Sequence, residues 1–204
     1  QIIIPMAGLG QRFINEGYEL PKPLLLIDGA PIIHHIIDMF PGEKNFLFIC
    51  NENHLKNSKL KMRDTIKKKV PNSKIISIKT HKLGPAYSVS KIFDYINDEE
   101  EVIINYCDFS CYWDYLSFKQ EIKINDSFGA VPSFKNFHPH SLWLKNFAYI
   151  KNKNNLVLDI QEKKPLTDNQ IKEFASTGTY YFNSGKILKQ SINYCFKHKL
   201  KVNN

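Results

Sequence analysis

The chain has 204 residues, 43% hydrophobic and 24% charged, a balance that excludes a disordered or fibrous protein and predicts one domain whose core needs no disulfides. Its formal charge of +8 invites a nucleic-acid partner, but Arg12 and Arg63 are the sole arginines among 28 basic residues and the densest basic run, 59–69, reads as a solvated helix face, so none is expected. The apolar runs fall well short of the roughly 20 residues that cross a bilayer, and no basic-then-apolar leader opens the chain, so neither a membrane partner nor a secretory signal is expected.

Ile2-Ile-Ile4 is a β-branched run that stops at Pro5 and feeds a glycine loop at Gly8 and Gly10, the pattern of a buried strand and its turn. A helix over 32–40 follows the Gly29-Ala-Pro31 entry, then a buried strand over 45–50 and a surface helix over 53–69. A third strand, 74–79, precedes a helix over 84–96 whose Ala86, Val89, Ile92, Phe93 and Ile96 share one face. The fourth strand, 101–106, ends at Asp108. Such alternation predicts an α/β fold: a Rossmann-like, mainly parallel sheet with right-handed crossovers and helices on both faces. The second half reads differently, with short strands at 128–132, 147–150, 156–160 and 179–182 separated by polar turns, which predicts antiparallel additions to the same sheet.

Cys50, Cys107, Cys111 and Cys195 form no C-x-x-C pair, so free thiols and a reducing, cytoplasmic setting are expected. His34 and His35, adjacent on a helix, point about 100° apart and do not share an ion. They and the pair His138/His140 are read as structural or surface groups, and Tyr112, Trp113 and Tyr115 as core, with a cover over a bound ligand as the alternative.

The chemistry concentrates in the first loop, Pro5-Met6-Ala7-Gly8-Leu9-Gly10-Gln11-Arg12-Phe13. Glycines directly after a strand let backbone N–H groups approach phosphate oxygens. Phe13 stands where a dinucleotide fingerprint needs its third glycine, and no G-K-[ST] ending makes a P-loop. A lone G-x-G also serves plain turns. Arg12, two residues beyond the pair, and Lys22, pinned between Pro21 and Pro23, place two cations beside the same loop.

On these motifs the chain resembles the bacterial nucleotidyltransferase family, sugar-phosphate nucleotidyltransferases and their kin, which condense a nucleoside triphosphate with a phosphorylated acceptor and release pyrophosphate. The resemblance implies a GT-A-like fold, and a single domain over 1–204 with a nucleotide-binding half at about 1–110 and an acceptor-binding half at about 111–204. It assigns Met6, Ala7, Gly8, Leu9 and Gly10 with Gly84, Pro85 and Ala86 to the nucleotide, and Arg12, Lys22 and Asp108 to catalysis, with Mg²⁺ held at Asp108. Glu162-Lys163 ahead of Lys164-Pro165 resembles the family's acceptor-binding Glu-Lys-Pro element, and Gly178 lies on the implied acceptor-lining strand. A homo-oligomer is compatible with this reading.

The spelling 4–13 with Gly17-Tyr18 and 20–25 is most similar to an enzyme group encoded with capsule genes, the CTP:phosphoglutamine cytidylyltransferases of capsule phosphoramidate assembly. That implies CTP and L-glutamine phosphate as substrates. Phosphocholine or sugar-1-phosphate nucleotidyl transfer is the alternative within the family; a nucleotide-sugar-binding glycosyltransferase and a non-catalytic nucleotide-binding module are alternatives beyond it. Asp108-Phe-Ser110 lacks the second carboxylate of a D-x-D pair, which weakens the glycosyltransferase reading. The family's further metal-binding acid near the C-terminus has no counterpart in Lys201-Val-Asn-Asn204, so either the chain is shortened or metal binding differs here.

Overall fold

The computed structural model describes residues 1–139 and 147–200, except the side chains of Gln11 and Arg12. The first half alternates as β1 (Ile2–Met6), α1 (Gln11–Asn15), the two-residue strands β2 (Leu26–Ile27) and β3 (Ala30–Pro31), α2 (Ile32–Asp38), β4 (Phe46–Asn51), α3 (Glu52–Lys56), α4 (Met62–Lys69), β5 (Lys74–Ile78), α5 (Gly84–Ser90) and β6 (Val102–Asn105). The second half adds α6 (Tyr115–Ile124), β7 (Gly129–Ala130), β8 (Ser133–Phe134), β9 (Ala148–Lys153), β10 (Leu156–Glu162), β11 (Phe174–Ser176), β12 (Thr179–Phe182) and α7 (Gly185–Lys197).

The main sheet runs β5-β4-β1-β6-β12-β7, parallel from β5 to β6 and antiparallel beyond. Its continuous apolar strands are buried on both faces because successive side chains point to opposite sides. Ile2, Ile4, Phe46 and Phe48 join one core with Ile33, Ile36 and Ile66 of α2 and α4. Ile3, Leu47 and Ile49 join the other with Val89 of α5 and Leu188 and Ile192 of α7. The chain runs from β1 outward through β4 to β5 and then returns to the far side of β1 as β6. A topological switch therefore lies between β1 and β6, and open α/β sheets bind ligands outside the strand ends at such points.

Several boundaries differ from the sequence pattern. Pro5 does not end β1; the strand continues to Met6. The helix expected over 53–69 is two helices, because Asn57 caps a separate turn by accepting from Lys59 N–H and Lys61 takes a left-handed φ of 46°. The helix expected over 84–96 stops at Ser90 and gives way to a tighter turn over Phe93–Tyr95. The short strands of the second half do not all join one sheet. β12 and β7 extend the main sheet, while β10-β9-β11-β8 form a separate antiparallel sheet. Among the described residues, no helix is long and apolar enough to cross a membrane.

The four cysteines are free, and burial pushes the Cys50 thiol up to about 12. His34 and His35 each donate from Nε2 to a backbone carbonyl, of Thr65 and Ile27, both at 2.8 Å. They are structural, as is Trp113, which packs edge-on against Phe40 and donates to the Met39 carbonyl. Tyr115 likewise packs on Phe40, whereas Tyr112 is fully exposed. His138 sits among Phe109, Phe134 and Phe147; its companion His140 lies outside the described residues.

Candidate active site

Four loops, each leaving the carboxyl end of a parallel strand, close around a cleft of about 700 Å³. The β1 loop contributes Met6 to Gly10, and Gly10 takes a left-handed φ of 62° so that its carbonyl can accept from Phe13 and Ile14 as α1 starts. The segment after β4 contributes His54, that after β5 His81, Gly84, Pro85 and Ser88, and that after β6 Tyr106, Cys107 and Asp108. Parallel crossovers force this convergence, since every strand of that set ends on the same edge.

Lys22 is placed by its prolines. Pro21 and Pro23 shape a single tight turn over Lys22–Leu24, closed by Leu24 N–H donating to the Pro21 carbonyl at 2.8 Å and anchored by buried Leu24. Its ammonium crosses the cleft to Asp108 Oδ2 at 2.5 Å and lies 4.8 Å from the centre of the Phe13 ring. Asp108 is fixed from below. Asn105, fully buried, donates to the Tyr106 carbonyl at 2.8 Å and accepts from Thr179 Oγ1 at 2.5 Å, which clamps the end of β6 to β12.

Of the residues singled out in the sequence, Met6, Ala7, Gly8, Leu9, Gly10, Lys22, Gly84, Pro85 and Asp108 border this one cleft. Ala86, the third residue of α5, is exposed and does not line it, because consecutive residues of a helix point about 100° apart. Arg12 belongs to α1, but its side chain lies outside the described part of the structure. Glu162, Lys163 and Gly178 lie apart from the cleft, at the end of β10 and in the turn before β12. Lys163 takes a left-handed φ of 57° and donates its N–H to the Phe147 carbonyl at 2.8 Å.

Tyr106 connects the two groups. It borders the cleft, and its N–H donates to the Gly178 carbonyl at 3.0 Å. Gly178 has φ 74°, a conformation that favours glycine, and a Cβ there would press on the Tyr106 ring at 3.1 Å. Burial, followed by the Tyr180 and Glu162 charges, pushes the Tyr106 phenol well above its ordinary range. The Glu162 charge is thus felt at the Tyr106–Tyr180 pair, whose rings are 5.8 Å apart.

The sequence pattern does not single out His54, His81, Ser88 or Tyr106, although His54 and His81 follow predicted strands by a few residues and Tyr106 ends one. His54 Nδ1 is a buried atom without a hydrogen-bond partner among the described residues, and burial lowers the pKa of this imidazole. Phe13 marks only a missing glycine in the sequence; here it is the aromatic floor for the Lys22 ammonium.

Asp108 meets the chemical demand of Mg²⁺, which uses one or two carboxylates and takes its remaining ligands from phosphates and water. The carboxylate already faces a cation across the cleft. Among the described residues no three His, Cys, Asp or Glu side chains gather as an all-protein metal cage.

The family described as "Nucleotidyl transferase" matches residues 1–201 of this chain. The bifunctional protein GlmU of Buchnera aphidicola is 29% identical over 197 residues, which are 94% of this chain but only 38% of that protein, so the chain spans well under half of this relative. Among solved structures, a putative glucose-1-phosphate thymidylyltransferase from Bacillus anthracis superposes with a TM-score of 0.72 at 17% identity, covering 99% of this chain and 76% of the other. The inositol-1-phosphate CTP transferase from T. maritima gives 0.67 at 15% identity, with 95% and 81% covered. At those identities the likeness is one of fold.

Proposed function

The chain belongs to the nucleotidyl transferase family, and on that premise we propose that it transfers a nucleotidyl group from a nucleoside triphosphate to a small phosphorylated acceptor. CTP and L-glutamine phosphate are the substrates we favour, on the spelling of the first loop; a sugar 1-phosphate or phosphocholine is the second choice. The observation that carries the reading is the Lys22–Asp108 pair at 2.5 Å across a cleft floored by the Gly8–Gly10 loop.

An acceptor phosphate oxygen attacks the α-phosphorus as the bond to the β-phosphate oxygen breaks, and pyrophosphate leaves in line. That oxygen is already anionic near neutral pH, so no strong general base is required. Catalysis rests on positioning and charge neutralisation. The loop N–H groups and Arg12 hold the triphosphate. Lys22 leaves Asp108 for the α-phosphate, where negative charge must be stabilised. Asp108, so released, would be the residue to hold Mg²⁺. The ion would there supply positive charge against the triphosphate. Glu162, Lys163 and Gly178 bind the acceptor beyond Tyr106, and Tyr106 borders both substrates.

The test crosses the four common ribonucleoside triphosphates with L-glutamine phosphate, phosphocholine and a panel of sugar 1-phosphates, and reads Mg²⁺-dependent pyrophosphate release. Release with CTP and L-glutamine phosphate alone is the expected result. Release with another pair renames the substrates. Nucleotide binding without release under any pair overturns the transferase reading in favour of a binding module.

A further inference from the structure

Before α5, three polar groups are wired in series at the edge of the cleft. Leu83 N–H reaches His81 Nδ1 at 3.1 Å, and His81 Nε2 lies 2.9 Å from Ser88 Oγ. A backbone N–H can only donate, so Nδ1 must carry a lone pair. In the neutral imidazole the proton then sits on Nε2. Nε2–H therefore donates to Ser88 Oγ, and the serine hydroxyl cannot spend its own hydrogen on the histidine.

That hydrogen has no taker among the described residues. Ser88 is only 3% exposed as a residue and borders the same cleft as the Gly8–Gly10 loop, so the cleft is where this hydrogen can meet an acceptor. Buried donors of this kind are normally paired. The imidazole is held in place on its other sides: Tyr87 packs edge-on at 4.6 Å between centroids, and Lys91 caps the Tyr87 ring at 4.5 Å. Burial first, and the Lys91 charge second, lower the His81 pKa, which favours the neutral ring on which the polarity depends.

We propose that Ser88 donates a hydrogen bond to an acceptor atom of the bound nucleoside, and that His81 is the positioning residue that fixes this polarity through Nε2–H. The inference rests on the cleft being the nucleotide site. An acceptor oxygen of the ribose and an acceptor of the base edge share the required chemistry. A hydrogen-bond donor at the same place on the ligand is disfavoured, because two donors then face each other.

The experiment measures dissociation constants for the four ribonucleoside triphosphates, and for the 2′-deoxy form of the best binder, by calorimetry with Mg²⁺. Four proteins are compared first: wild type, Ser88→Ala, His81→Gln and His81→Asn. Glutamine places its amide N–H near the Nε2 position, and asparagine places its carbonyl near Nδ1. Thermal unfolding checks that each variant is folded.

Ser88→Ala should weaken the best nucleotide about tenfold, the size of one lost hydrogen bond. His81→Gln should bind near wild-type strength, and His81→Asn as weakly as Ser88→Ala. The double variant His81→Asn/Ser88→Ala should be no weaker than Ser88→Ala alone, because both substitutions act through one bond. A Ser88→Ala penalty that vanishes for the 2′-deoxy nucleotide assigns the ribose; one that persists assigns the remaining acceptors.

Wild-type affinity in Ser88→Ala overturns the proposal while leaving the nucleotide site standing. So does normal binding by His81→Asn with weak binding by His81→Gln, which would make His81 only a prop for Leu83. Wild type that binds no nucleoside triphosphate overturns the site itself, and this proposal with it.

Discussion

The loops that leave β1, β4, β5 and β6 converge on one cleft, whereas Glu162, Lys163 and Gly178 leave the antiparallel part of the molecule at separate places and do not line it, Gly178 and the Glu162 charge meeting its edge at Tyr106. The difference follows from connectivity. Parallel strands joined by crossovers all finish on one edge, so four sequence-distant motifs become neighbours without long-range adjustment. Antiparallel strands finish on alternate edges, and a site built from them depends on turns. Here those turns are held by a left-handed Lys163 and a glycine packed on Tyr106.

The largest expected effects test the nucleotide side. Lys22→Ala and Asp108→Asn should each lower turnover by about 100-fold or more, with circular dichroism and melting unchanged, because they remove charge where it is needed in the transition state. A folded Lys22→Ala enzyme with normal turnover would remove the reason for placing the reaction in this cleft. Next, Gly178→Val should cost about 1–3 kcal/mol of stability in urea unfolding, since it forces a β-branched residue into φ 74° and against the Tyr106 ring. An unchanged midpoint would mean that Tyr106 does not tie the two regions together.

A smaller effect sharpens the division. Glu162→Gln should raise the KM for the acceptor by about threefold to tenfold while the nucleotide KM stays within twofold, as expected for one charge-assisted contact. A change in both, or in the nucleotide KM alone, would merge the two regions. The smallest concerns pH. Burial raises the Cys50 and Cys107 thiols from an ordinary 9.0 to about 12, so the native state keeps protons that the unfolded chain releases above pH 9. Their contribution is complete below pH 9 and is lost as the pH rises toward 12. Urea midpoints should fall between about pH 9 and 10.5 in wild type, and less steeply in the double variant Cys50→Ala/Cys107→Ala, which lacks both groups.

How much of this is legible in the sequence divides along the same line. The continuous apolar runs at 2–4, 46–49 and 102–104 have no alternation to misread, and their alternate residues do face the two cores. Glycines and a proline-bracketed lysine after the first strand point to the cleft because their chemistry is local. His81 and Ser88 give no such signal, since each is ordinary until the turn at Gly84 brings them within 2.9 Å. The motif misplaces Ala86 relative to the cleft because three consecutive residues on a helix cannot all turn one way. The second sheet is hidden as well. Strands of two or three residues, such as β8 and β11, carry too little pattern to say which sheet they join.

The most direct test of the account is a crystal structure with Mg²⁺ and a non-hydrolysable CTP analogue. We expect the triphosphate on the Gly8–Gly10 loop, the nucleoside beside Gly84 and Ser88, and the Lys22 ammonium moved from Asp108 to the α-phosphate. A nucleotide bound elsewhere, or one bound in the cleft with the 2.5 Å Lys22–Asp108 pair still intact, would contradict it.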